Sequence, residues 1–197
     1  VIPAASVQPG PGQEIIRMDV PQSTVQFVMP GLLRSDPDFV PAFVMNAILG
    51  GSGFGSRLMM EVREKRGLAY HAGSQLWPMD RAGLLTASAA TRNDKVRDTI
   101  EVIRAEIRKM VESGPSEQEL ASVKTYLTGS HPLRFDSGGA IAGQLLGLQQ
   151  QKLGMDYIER RNSLVEAVTM DDVRRTARRL LTAEPLITIV GQPVGLK

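Results

Sequence analysis

The sequence predicts an α+β fold with a largely antiparallel sheet and helices packed on one face. Three observations predict it. Strand-like segments do not alternate one by one with helices, as a parallel βαβ array would require. Two runs, 68–77 with loose alternation and 81–90 rich in small residues, are separated only by a short stretch after Pro78 and so read as a hairpin. The second half of the chain is almost entirely helical in pattern, with capping boxes at Ser116-x-x-Glu119 and Thr169-x-x-Asp172 and a single closing strand at 186–190.

Taken in order, residues 1–13 are rich in Pro, Gly and small side chains and read as a linker or loose arm, which leaves 14–197 as one domain. A turn at Pro21-Gln22-Ser23 precedes a strand over 24–28, with Val25 and Phe27 on one face, and Pro30-Gly31 ends it. Ser35-Asp36-Pro37-Asp38 combines a capping residue, a proline in the first turn and acids near the positive end of the dipole, so a helix is expected over 38–49. Gly50-Gly51-Ser52-Gly53-Phe54-Gly55 then breaks the chain. Ser56 is the expected cap of a second helix over 57–65, which buries Leu58 and Val62 and ends at Gly67 after Lys65 and Arg66. Asn93 opens a long helix to 112, with Val96, Ile100, Ile103 and Ile107 in register. A helix follows from Ser116 until His131-Pro132 interrupts it, then another from Ser137 or Gly138 to 153, a shorter one over 156–165, and a last one from Thr169 to 181. Val173, Ala177, Leu180 and Leu181 form the buried side of that last helix.

Composition narrows the function. The 197 residues are 42% hydrophobic and 22% charged, the balance of a globular domain able to bury a real core. A formal charge of +2 gives no reason to expect nucleic acid as a partner, and 5% aromatics gives little material for base stacking. No apolar run reaches membrane-spanning length, and no secretory apolar core opens the chain, whose first residue, Val1, suggests a processed or excised start. The absence of cysteine removes disulfides, thiolate zinc sites and thiol catalysis together. The only histidines, His71 and His131, are far apart, and neither His-Glu-x-x-His nor His-x-x-Glu-His occurs, so no metal site is expected on this chain.

Two segments could carry chemistry. Gly51-x-Gly53-x-x-Ser56 imitates part of a dinucleotide fingerprint, but it follows a helix instead of a strand and no acidic residue closes a βαβ unit behind it. Gly50, Gly51, Gly53 and Gly55 therefore read as a hinge or turn needing positive φ, although a nucleotide-binding enzyme remains one possible class. The run Arg63-Glu64-Lys65-Arg66-Gly67-Leu68-Ala69-Tyr70 places an arginine near a helix end and a tyrosine just after a glycine-ended turn, so the two could converge. Arginine offers a rigid cationic donor fork and tyrosine a neutral hydroxyl donor, and both suit an oxyanion on a peptide carbonyl.

With Asn46-x-x-Leu49-Gly50-Gly51 and Ser56-Arg57-Leu58 before it, this run resembles the M16 (pitrilysin-type) zinc metallopeptidases of bacteria, and the order of elements is similar over nearly the whole chain. The resemblance implies an M16-type α/β roll, paired with a second such domain around a chamber. It implies that the zinc, held by His-x-x-Glu-His, lies in a homologous partner domain or subunit. This chain would match the domain without that motif, with Arg63 and Tyr70 gripping peptide substrate and stabilising the tetrahedral intermediate. Alone it would be inactive and would bind no cofactor. The alternative is an M16-like structural subunit that cleaves nothing. Bacterial relatives of this kind are often exported, so a periplasmic location follows from the resemblance alone.

The remaining candidates read as structural. His71 should point to the opposite face of its strand from Tyr70. His131 should sit in a turn. Arg160-Arg161, Arg174-Arg175 and Arg178-Arg179 should form a solvated face, Met45, Met59 and Met60 should fill core or interface, and Trp77-Pro78 should lie at a hairpin edge.

Overall fold

The structure, a computed structural model, describes Pro3, Ala5, Gly10 and residues 12–196. The expected arm falls mostly outside these residues. Strands β1 (Gly12–Arg17), β2 (Gln22–Pro30), β3 (Ala69–Pro78), β4 (Gly83–Arg92) and β5 (Leu186–Gly191) form one sheet in the order β1-β5-β2-β4-β3. Only β1 and β5 pair in parallel. The α+β class with a largely antiparallel sheet is therefore observed. Strand β1 begins inside the stretch read as an arm, and its sequence hides it. It is an edge strand with only Ile15 half-buried, so it carries no alternation to detect.

Burial is one-sided. On β2, Ser23, Val25, Phe27 and Met29 are buried while Gln22, Thr24 and Gln26 are exposed. The same face continues through Leu85, Ala87 and Ala89 of β4 and Ile187 and Ile189 of β5. Helices α1 (Phe39–Asn46), α2 (Val96–Glu112), α3 (Glu117–Gly129) and α6 (Met170–Leu181) supply the rest of the core. Helix α2 contributes Val96, Ile100, Ile103, Ile107 and Met110 from one stripe, and each such side chain stabilises the fold by roughly 1.5–3 kcal/mol. Helix α4 (Gly138–Gln150) buries none of its residues, whereas α5 (Tyr157–Ala167) adds Val165 to the core. No described helix is long and apolar enough to cross a membrane.

The caps mostly follow the sequence. Ser116 Oγ accepts from the Glu119 N–H at 3.2 Å while Glu119 Oε2 accepts from the Ser116 N–H at 2.7 Å. Thr169 and Asp172 form the second box at 3.1 and 2.9 Å, and the Thr169 hydroxyl, which donates to Asp172 Oδ2 at 2.6 Å, foremost draws the Asp172 carboxyl pKa down to about 2. Ser137 caps α4 through the Ala140 N–H. Ser35 does not cap α1, and the Asp36 carboxylate instead accepts from the Asp38 N–H at 2.9 Å.

Two expectations need correction. The glycine run does not break the chain at Gly50, because α1 continues as a π-helix, Ala47–Gly51, and only Gly53–Gly55 forms a separate 3-10 turn, with φ 68° at Gly53. Gly50 is there for a close approach: a Cβ would collide with the backbone nitrogen of Ser74 on β3. The expected helix over 57–65 is also largely π-helical, over Met59–Glu64, and Ser56 Oγ donates back to the Gly53 carbonyl instead of capping it. The paired arginines are not simply solvated either. Arg175 and Arg179 clamp Asp38 and Asp36 at 2.7–2.8 Å, tying α6 to the entry of α1, and Arg161 is buried.

Gly50→Ala should destabilise the fold by roughly 1–3 kcal/mol because backbone cannot yield to the added methyl. Gly55→Ala, where nothing lies within 4 Å of the added carbon, is the control and should shift the urea midpoint little.

Candidate functional site

The site is assembled by a change of direction between the π-helical segment and β3. At its end, the Gly67 N–H donates to the Arg63 carbonyl at 2.8 Å and the Leu68 N–H to Val62 at 2.9 Å. Gly67 takes φ 58°, a left-handed value that a β-carbon would oppose, and the chain enters β3 at Ala69. The Thr91 hydroxyl on β4 donates to the Leu68 carbonyl at 2.6 Å and pins the turn to the sheet. A bulge between Ala69 and Ala72 then inserts one extra residue into β3. It releases the Ala72 N–H, which lies 3.4 Å from Met59 Sδ.

Tyr70 and His71 are both exposed at this irregular start of the strand. Tyr70 is 80% exposed, and the Arg63 guanidinium lies over its ring, 4.7 Å from the centroid. Arg63 also approaches the Glu64 carboxylate at 3.4 Å. The structure thus brings Arg63 and Tyr70 together. The four glycines lie before this segment: Gly50 and Gly51 inside the helix, and Gly53 and Gly55 in the turn that precedes it.

Upstream, Arg57 anchors the segment that carries Arg63. Its guanidinium donates to both oxygens of Glu119, at 2.6 and 2.8 Å, and to the Gly114 carbonyl at 3.0 Å. One carboxylate therefore caps α3 and holds Arg57, and the Arg57 contact foremost draws the Glu119 carboxyl down to about 2.

Beside this segment lies an open cleft of about 1130 Å³. Its floor is the outer face of the sheet, including Gln26, Thr86 and Gln75, and its walls come from α1, α4 and α5. His71, Gly50, Gly51 and Gly53 line it, whereas Arg63 and Tyr70 do not; they stand next to it, one residue along β3 from His71. Trp77 lines it too and donates from Nε1 to the Thr86 hydroxyl at 3.1 Å. Asn46 Oδ1 is buried in the wall without a hydrogen-bond partner. The donor set of the cleft does not suit zinc: its two histidines are joined by arginines, and no carboxylate lines it. Among the described residues no group of three or more His, Asp or Glu side chains could hold a metal.

Comparison with known proteins resolves the kinship. The family model described as the peptidase M16 inactive domain matches residues 2–127. The chain belongs to this family. An uncharacterized zinc protease of Streptomyces coelicolor is 34% identical over 182 residues, covering 90% of this chain and 39% of that protein. A non-peptidase homolog of Helicobacter pylori is 30% identical over 126 residues, covering 64% of this chain and 29% of that protein. The crystal structure of a peptidase M16 inactive domain from Pseudomonas fluorescens superposes with a TM-score of 0.84 at 31% identity, covering 94% of this chain and 44% of that one. The chain thus spans about two fifths of the length of the zinc protease it matches.

In this M16 inactive domain, sequence reasoning missed the cationic wall of the cleft. Arg161 is 7% exposed, not solvated, and His131 lies in the expected turn but is buried, its ring centroid 5.3 Å from that of Phe135. Burial first, then the charges of Arg161 and Arg134, push the His131 pKa down. The spacing held a signal: Ile158, Arg161 and Val165 recur at helical intervals, which places Arg161 on the inward stripe of α5.

The Glu119 value generates a test. Because its folded-state pKa, about 2, lies below the ordinary 4.5, its contribution is complete above pH 4.5 and is lost as pH falls towards 2. Glu119→Gln should cost about 1 kcal/mol at neutral pH, since the pair is partly solvated. It should also flatten this acid limb in urea melts followed by circular dichroism.

Proposed function

We propose that this domain is the substrate-binding, chamber-closing half of a zinc-dependent metalloendopeptidase. The observation that carries the reading is the placement of the Arg63 guanidinium over the Tyr70 ring, beside a peptide-sized cleft. Arg63 and Tyr70 grip the substrate backbone. As water adds to the scissile carbonyl, its oxygen gains charge, and the Arg63 N–H and Tyr70 O–H groups donate to it. Donors fixed before charge develops are worth on the order of 3 kcal/mol each in hydrolases. The bulge and the Thr91 anchor support such fixing by limiting how Tyr70 can move. Zinc, held by a homologous His-x-x-Glu-His domain or subunit, supplies Lewis-acid chemistry to the shared site. The two halves close on a peptide between them, and this half alone cleaves nothing.

A second reading, a non-catalytic M16-like subunit of a larger assembly, is favoured by the similarity to the non-peptidase homolog of Helicobacter pylori. The two separate in one experiment. The chain is combined with the zinc-bearing half encoded beside it or on the same polypeptide, and cleavage of a peptide library is measured. Turnover is expected only with both halves present. Arg63→Ala should lower kcat/KM about 100-fold, with most of the loss in kcat, and Tyr70→Phe about 10- to 100-fold. Undiminished turnover in both variants would exclude the peptidase role given to the pair, and no turnover with any zinc-bearing partner would favour the structural subunit.

A further inference from the structure

We propose that Arg161, Arg134 and Arg34 form an anion subsite in the cleft that binds a carboxylate of the peptide, so that this domain selects acidic peptides. The proposal rests on the reading that peptide occupies the cleft, and it adds the class of peptide. The chain has 21 acidic residues, yet no Asp or Glu lines the cleft among the described residues. Its charged lining is Arg34, Arg134 and Arg161, accompanied by both histidines of the chain.

Arg161 is the centre. It is 7% exposed, and one of its terminal nitrogens donates to the Leu127 carbonyl and to Asn162 Oδ1, each at 2.9 Å. Those partners are neutral, and none of the ion pairs among the described residues includes Arg161. Burial opposes its charge. Taking a cation out of water without a counter-charge is costly, and a carboxylate from outside the domain removes that cost. Arg57, Arg175 and Arg179 do have carboxylate partners, so the lack at Arg161 reflects placement and not a shortage of acids.

Arg34 is arranged in the same way. Its guanidinium sits 4.2 Å from the Phe39 ring centroid and 5.0 Å from that of Tyr157. It donates to Gln151 Oε1 at 2.9 Å and to the Tyr157 hydroxyl at 2.6 Å. These contacts orient the cation without neutralising it. A cleft with low-dielectric walls focuses such a field, and the arginine fork matches a carboxylate with two parallel hydrogen bonds. Phe39, Phe43 and Leu84 in the lining give the rest of a peptide apolar surface to lie against.

Trp77, the only tryptophan, lines the cleft, so its fluorescence reports occupancy without any zinc-bearing half. The chain closes its own core and can be titrated as it stands. Three peptides of one neutral sequence serve as probes: both ends blocked with a central Gln, the same with a central Glu, and the Gln form with a free C-terminal carboxylate. At least one carboxylate peptide should bind about tenfold more tightly than the neutral one, with the advantage shrinking at high salt. A preference for the Glu form assigns the subsite to an acidic side chain, and a preference for the free terminus assigns it to the peptide end. Arg161→Gln should remove the preference. Arg134→Gln, at an exposed position that does not endanger folding, should reduce it several-fold. Equal binding of all three peptides, no binding of any, or a preference unchanged in Arg134→Gln and in folded Arg161→Gln overturns the proposal. Loss of cleavage with a zinc-bearing half, beside an intact carboxylate preference in this titration, would refute the catalytic reading alone.

Discussion

The sheet buries one face only, and every feature of the site depends on that constraint. Val25, Phe27, Leu85, Ala87, Ile187 and Ile189 turn towards the helices, so Gln26, Thr86 and Gln75 must turn away. A second helical layer over those polar side chains would bury donors and acceptors without partners, at a cost of about 1–3 kcal/mol each. The outer face therefore stays open, and α4 and α5 form a wall beside it, leaving a cleft that a chain segment from elsewhere can enter.

The joint between the π-helical segment and β3 works by over-determination. Arg57 grips Glu119 at one end, Gly67 reverses the chain in the middle, and Thr91 and the bulge fix the start of the strand. Each link is modest by itself. Together they fix the backbone that carries Arg63 and Tyr70, whose guanidinium and ring lie 4.7 Å apart. The proposed oxyanion role would gain from such preorganisation, because donors that must be reordered during a reaction lose much of their effect. The geometry sits at the irregular start of β3, where a bulge interrupts the regular pairing with β4.

Charge is sorted within the domain as well. Acids pair with arginines around α1, α3 and α6, while the cleft receives cations alone. Net charge hides this, because a chain close to neutrality can still carry a strongly one-signed cavity. The relatives match nearly all of this chain but extend well beyond it.

Sequence by itself determined the class of fold, most helix boundaries, both capping boxes, the hairpin and the kinship, because these depend on local periodicity and on short runs such as Arg63 to Tyr70. It also singled out Arg63 and Tyr70, which the structure brings together. Tertiary structure decided what local pattern cannot encode. β1 is a strand because β5 offers it an edge, Gly50 and Gly51 stay helical because the helix runs against Ser74, and the start of β3 departs from regular pairing because a bulge shifts the register. Arg161 looked like one more solvated arginine until α5 turned it inwards, towards a cleft that no carboxylate lines among the described residues. Such placements depend on contacts between residues far apart in the chain, and periodicity carries no record of them.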